Sequence, residues 1–251
     1  MEALDLAILG AAALATSALT ATVGLGGGVV LLTIMLIWYE PLVAIPVHGV
    51  VQLISNGSRT LIQRRHVDWS VLGRFALPLL PFGVLGLWVA QSLSAELVRP
   101  AIGVFVILAT WAPRALFLGA RPEALPRSPR FLLLGSLVGF FSPTIGAIGP
   151  LQGPFFQHAG FGRHALVGTF AACQTLAHLA KIGLFAAIGF AFGTYWLPIL
   201  WLGVGVVIGT WLGSLVLDRV NERVFVWLYR GVLTAVALRL IVAGGLALLR
   251  G

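Results

Sequence analysis

Long apolar stretches separated by short polar turns occupy most of this 251-residue chain. Several of them approach or exceed the ~20 apolar residues that a transmembrane helix needs. The stretches run over residues 3–23 with 28–38, 43–63, 69–91, 98–118, 131–149 with 150–160, 163–189, 194–217 and 224–249. The pattern predicts an all-α polytopic membrane protein.

The longest polar break divides the chain into two halves. Residues 114–130 contain three prolines and four arginines, which predicts a cytoplasmic linker. The segments 1–113 and 131–251 are then the first and second membrane repeats. An offset of 122 residues, and of 127 further along, matches glycine, polar and tryptophan positions between the halves. The matched pairs are Gly24 with Gly146, Gly27 with Gly149, Gln52 with Gln174, Trp69 with Trp196 and Gly86 with Gly213. Chance similarity between two apolar stretches is the alternative.

The distribution of arginine favours inverted halves. If 3–38 and 131–160 are each a helical hairpin broken at its glycines, each half contains that hairpin and three transmembrane helices. The basic residues of the turns then collect on the cytoplasmic side, as membrane proteins prefer. Four simple spans in each half would be parallel, and would place Arg163, Arg219, Arg223 and Arg230 outside.

Glycines interrupt the first apolar stretch in "TATVGLGGGVVLLTIM", residues 20–35. Irregular backbone at membrane depth is tolerated only where protein buries it or where it lines a cavity. The amide groups of a helix that restarts at Val29 would face that gap, and a helix N-terminus attracts anions. The predicted ligand-facing glycines are Gly24, Gly26, Gly27 and Gly28 in the first half, and Gly146 and Gly149 in the second. Close helix packing through small residues is the alternative.

Polar residues recur on one face of two of the predicted helices. Their spacing places His48, Gln52, Asn56 and Arg59 together on one helix and Gln174, His178 and Lys181 on another. Ionisable residues inside a membrane segment mark functional sites by default. We therefore predict that these residues bind the substrate. The alternatives are that the amides only join helices and that Arg59 reaches the membrane surface.

Composition and charge narrow the class of substrate. The chain is 59% hydrophobic and 10% charged, with a net charge of +8. In a membrane protein this charge reflects cytoplasmic arginines and does not indicate nucleic acid. Carboxylates are absent from every segment centre, which favours a small anion over a cation or metal. Histidine is the residue suited to proton coupling, at His48 or His178, and a neutral hydrogen-bonding role for either is the alternative. The role of Arg239, in the middle of the last stretch, stays open.

The sequence contains no motif for catalysis, and we predict no catalytic residue, metal or cofactor. The runner-up functions are a non-transporting membrane partner subunit and an intramembrane enzyme. The lipid bilayer is an expected partner, and the oligomeric state stays open.

The order of several motifs resembles the sulfite exporter TauE/SafE family of membrane permeases. The motifs are "GLGGGVVLLTIML", the basic turn "RRHVDW" and "GTWLGSLVLDRVNERVFVWLYRGVLTAVALRL". The resemblance implies a permease that exports sulfite, a sulfonate or a related organosulfur anion across a bacterial-type plasma membrane. Gly24, Gly26, Gly27 and Gly28 match the glycine motif of the family. The second half has Gly146, Gly149 and Pro150 where a fuller glycine cluster is usual.

Overall fold

The structure, a computed structural model, describes residues 3–23, 27–156, 159–216 and 222–248. These residues form α-helices and short turns, and contain no strand. The helices α1 to α10 are Ala3–Val23, Gly27–Met35, Pro41–Ile62, Trp69–Ser92, Ala95–Trp111, Arg127–Ile145, Gly149–Phe156, Arg163–Ala187, Trp196–Val216 and Glu222–Leu248. Short 3-10 helices lie at Arg64–His66, Pro113–Phe117, Pro122–Ala124 and Phe192–Tyr195. The all-α prediction is confirmed.

The helices begin and end where local chemistry favours it. Pro41 occupies the first turn of α3, where its missing N–H costs nothing. The Asp68 carboxylate caps α4 by accepting the amides of Ser70 and Val71, each at 3.1 Å. Burial alone would raise the pKa of Asp68, but these hydrogen bonds and the Arg127 guanidinium lower it below its usual value.

The structure differs from the sequence prediction at the ends of two segments, the apolar stretch 98–118 and the linker 114–130. The apolar stretch 98–118 continues as α-helix only to Trp111, because Pro113 disfavours helical backbone at the residue before it. Helix α6 begins at Arg127, inside the predicted linker 114–130. Its first turn tolerates Pro129, since the amides of that turn have no partner within the helix.

The first hairpin enters and leaves at the same end of the helix bundle. Trp38, just after α2, donates its indole N–H to the Asp5 carboxylate near the start of α1 at 2.8 Å. The next residue, Tyr39, meets the ring of Tyr195 edge to face at 6.1 Å. Helix α2 begins at Gly27, two residues before the predicted restart at Val29.

The second hairpin has the same form at the opposite end. Phe131, in the second turn of α6, contacts the rings of Phe156 and Phe161, so that the chain returns to where α6 began. Arg127 pairs with Asp68 in the turn between α3 and α4. That turn is separated from Tyr39 by the 22 residues of α3, a helix of about 33 Å. The two hairpins therefore enter the bundle from opposite ends.

Glycines allow two pairs of helices to touch backbone to backbone. A Cβ atom on Gly86 of α4 would lie 2.0 Å from the carbonyl oxygen of Phe140 in α6. A Cβ atom on Gly213 of α9 would lie 2.4 Å from the carbonyl oxygen of Ala18 in α1. The offsets of 127 and 122 residues relate Gly86 to Gly213 and Ala18 to Phe140. That the halves are inverted repeats stays a prediction.

The outside of the bundle is apolar. Leu77, Trp88, Leu200, Trp211 and Val242 are all largely exposed. Among the described residues, four helical segments are long and apolar enough to cross a membrane. They are Trp69–Ser92, His164–Ala187, Phe192–Gly213 and Arg230–Ala247. A surface of this kind suits lipid rather than water.

We expect Gly86→Ala to destabilise the protein, because its Cβ atom would overlap the Phe140 carbonyl and force α4 and α6 apart. Gly73→Ala is the matched control in the same helix, since a Cβ atom there meets nothing within 4 Å. The control should be neutral or stabilising by up to about 1 kcal/mol through helix propensity. Thermal unfolding in detergent measures both variants. Equal melting temperatures would contradict the proposed contact.

Candidate substrate-binding cavity

A polar cavity lies where the two hairpin breaks meet. Its empty volume is about 520 Å³, part of it open to solvent. It is lined by Gly28, Val29, His48, Gln52, Asn56, Arg59, Val138, Ser142, Gly146, Ala147, Ile148, Gly149, Phe170, Gln174, Ala177 and His178. These residues come from both halves of the chain, and they include no Asp or Glu.

The structure brings most of the sequence-predicted site residues to this cavity. The residues that line it are Gly28, His48, Gln52, Asn56, Arg59, Gly146, Gly149, Gln174 and His178. Gly27 is buried at the first position of α2, next to the lining residue Gly28. Lys181 does not line the cavity and lies behind it. Gly24 and Gly26 lie outside the described residues.

A chain of hydrogen bonds orients the polar side chains of α3. The Arg59 guanidinium donates to the Asn56 side-chain oxygen at 3.0 Å. The Asn56 amide in turn donates to the backbone oxygen of Gln52 at 3.0 Å and to its side-chain oxygen at 3.4 Å. With its oxygen engaged, Gln52 keeps its NH₂ group as a donor for the cavity. The remaining N–H groups of Arg59 add positive charge to the same wall.

Gln174 is oriented in the same way by Gln152, a residue that the sequence analysis did not identify. The Gln152 amide donates to the side-chain oxygen of Gln174 at 2.6 Å, which leaves the NH₂ group of Gln174 as a donor. Gln152 is fully buried in α7. The sequence could have indicated this role, because Gln152 is a polar residue one turn after Gly149 in an otherwise apolar helix.

Gln52 and Gln174 lie beside the starts of the two short helices, and at Gly28 the lack of a side chain makes room for the approach. A Cβ atom on Gly28 would lie 3.2 Å from the Gln52 amide nitrogen, and one on Gly149 would lie 3.8 Å from that of Gln174. The first amides of α2 and α7 have no acceptor within their helices. Two helix N-termini and two side-chain amides therefore meet at the cavity, which is an arrangement suited to an anion.

Two histidines form the wall between these donors. His48 is 1% exposed, and its Nε2 atom donates to the carbonyl oxygen of Gly28 at 2.8 Å. The His48 and His178 rings meet edge to face, with centroids 6.0 Å apart. His178 is also buried. At the position that the 122-residue offset relates to His48, the second half has Phe170, which lines the cavity as well.

Lys181 holds the second hairpin break in place. It is 1% exposed, and its Nζ atom donates to the carbonyl oxygen of Gly146 at 2.9 Å. Gly146 ends α6 with a φ of +84°, and a Cβ atom there would lie 2.6 Å from Leu32 of the first hairpin. Lys181 reaches the break by passing over Gly49, whose Cβ atom would lie 2.9 Å from the lysine Cε atom. Lys181 is therefore a positioning residue that acts through the Gly146 backbone.

Neither Arg239, whose role the sequence leaves open, nor the chain's single cysteine, Cys173, lines the cavity. Arg239 lies on an exposed face of α10. Cys173 is a buried free thiol one turn before Ala177 and does not line the cavity.

A membrane protein in which two broken hairpins meet at a polar cavity has the organisation of a secondary transporter. Comparison with family models agrees, because residues 8–240 match the family described as sulfite exporter TauE/SafE. The chain belongs to this family of multi-pass membrane transporters of sulfur anions. Searches of curated proteins and of solved structures gave no match.

We expect Lys181→Met to weaken sulfite binding by about tenfold, although Lys181 lines no part of the cavity. The Gly146 carbonyl loses its donor, and a start of α7 that has to be ordered during binding costs affinity. Lys181→Arg should not restore binding, because the planar guanidinium is too large for the space over Gly49. Titration calorimetry measures the affinities.

A matched pair of glycine variants tests the same contact with the lysine retained. Gly49→Ala displaces the Lys181 side chain and should reproduce the loss of affinity. Gly57→Ala lies two turns further along α3, where a Cβ atom meets nothing within 4 Å, and should bind as the wild type does. Wild-type affinity in Gly49→Ala would rule out the positioning role.

Proposed function

We propose that this protein is a secondary transporter that binds sulfite or a related small sulfur oxyanion in the cavity and exports it by alternating access. The observation that supports this most is the composition of the cavity wall. The Arg59 guanidinium, the amides of Gln52 and Gln174 and two helix N-termini all offer donors, while the described residues that line the wall include no carboxylate. Such a wall compensates negative charge and disfavours cations.

The arrangement of the helices supports alternating access. The hairpins enter from opposite ends and meet at one cavity, so that a movement of one half against the other would open it to either side. The glycine contacts between α4 and α6 and between α1 and α9 join positions that the same sequence offsets relate. Two equivalent packing interfaces of this kind would permit two related conformations.

Protons are the proposed coupling ion. His48 and His178 are the titratable groups in the cavity wall whose ordinary pKa lies nearest neutral pH. The two runner-up functions make different predictions. A partner subunit would support no flux by itself, and an intramembrane enzyme would convert its substrate.

Sulfite efflux from proteoliposomes tests the proposal. We expect the wild type to release loaded sulfite, and Gln174→Leu to release it about tenfold more slowly. The variant loses a donor to a charged ligand, an interaction of about 1.5–3 kcal/mol. Gln91→Leu is the matched control, because Gln91 is exposed at the end of α4. Wild-type protein that releases no more sulfite than empty liposomes would contradict the proposed function.

A further inference from the structure

One buried atom in the cavity wall has chemistry opposite to that of the donors around it. His48 donates from Nε2 to the carbonyl oxygen of Gly28, and a carbonyl can only accept, so that Nε2 carries the hydrogen. In the neutral ring the second nitrogen, Nδ1, is then an acceptor. Among the described residues, no donor lies within hydrogen-bond distance of this buried atom.

The surroundings favour the neutral ring for His48. Arg59 lines the same cavity, and the Lys181 ammonium holds the nearby Gly146 carbonyl. His178, whose buried Nδ1 is also without a partner in the described part of the chain, faces the His48 ring. Before an anion binds, a second proton on His48 would add positive charge to this region with no carboxylate among the described lining residues to compensate it.

A buried acceptor without a partner is costly, so a ligand that supplies a donor is favoured over one that does not. Three other polar groups of the wall, those of Arg59, Gln52 and Gln174, are placed to donate to the oxygens of an anion. The wall thus offers donors for an oxyanion group and, at His48 Nδ1, an acceptor for a hydrogen. A fully deprotonated oxyanion satisfies only the donors.

We propose that the cavity selects anions that carry a hydrogen-bond donor, and that His48 Nδ1 is the acceptor that recognises it. The inference rests on the proposed function and narrows its substrate class. Hydrogensulfite and sulfur oxyanions with an N–H or O–H group fit the wall, whereas the sulfite dianion and simple alkylsulfonates leave His48 without a partner. Sites that hydrogen-bond a ligand N–H or O–H discriminate strongly against analogues that lack it.

Sulfamate and methanesulfonate provide a matched pair of probes. Both are monoanions with the same SO₃ group, and they differ in an NH₂ group against a methyl group of similar size. Titration calorimetry of the detergent-solubilised full chain at one pH gives the ratio of their affinities. We expect wild-type protein to bind sulfamate about tenfold more tightly.

His48→Phe should reduce the affinity ratio to about one. The variant also loses the bond to Gly28, but this loss affects both anions and cancels in the ratio. His164→Phe is the control, because His164 is an exposed histidine that does not line the cavity, and it should keep the wild-type ratio. If His48→Phe does not fold, the ratio of the two affinities in the wild type still tests whether the cavity selects anions that carry a donor.

The outcomes separate this inference from the proposed function. Equal affinities for the two anions in the wild type would overturn the proposal that the cavity selects for a donor. They would still be consistent with an anion-binding cavity. A ratio that survives in His48→Phe would overturn the assignment to His48. Failure of the wild type to bind sulfamate, methanesulfonate and sulfite would overturn the proposed function and this inference together.

Discussion

The site depends on how side chains of neighbouring helices hold the two hairpin breaks in place inside an apolar bundle. Backbone that leaves the helix at membrane depth cannot be satisfied by lipid, so other parts of the protein must supply its partners. His48 of α3 donates to Gly28 at the start of α2, and Lys181 of α8 donates to Gly146 at the end of α6. Each half thus contributes one side chain that fixes the position of a break.

This constraint determines what the neighbouring side chains can do. Once the breaks are fixed, the starts of α2 and α7 lie beside Gln52 and Gln174, whose oxygens are already occupied by Asn56 and Gln152. The amide NH₂ groups are therefore oriented before any ligand arrives. Preorganised donors of this kind bind an anion without the cost of reorienting polar groups.

Much of the fold follows from the sequence because the bilayer imposes simple rules. Apolar length located the spans, and the glycines located both breaks, since only a few residues tolerate irregular backbone there. Helical spacing brought His48, Gln52, Asn56 and Arg59 to one face, and the structure places all four at the cavity.

These rules do not predict contacts between residues that are distant in the sequence. The sequence showed that Lys181 is buried and has no carboxylate on its helix, but its partner is a backbone oxygen 35 residues away. Residue type and spacing cannot predict such a partner, because every backbone carbonyl carries the same chemistry. Gln152 was overlooked for a related reason: its importance comes from Gln174, which lies on another helix. The orientation of the halves in the membrane likewise depends on the surroundings of the bundle.

The proposal that the two hairpin breaks form one anion site can be tested directly with a heavier analogue of sulfite. Selenite has the shape and charge of sulfite, and its selenium atom can be located by anomalous diffraction from crystals grown with the anion. We expect one strong selenium peak in the cavity, placed so that selenite oxygens accept from the side-chain amides of Gln52 and Gln174. A peak elsewhere, such as beside the arginines of residues 114–130, with none in the cavity would contradict it.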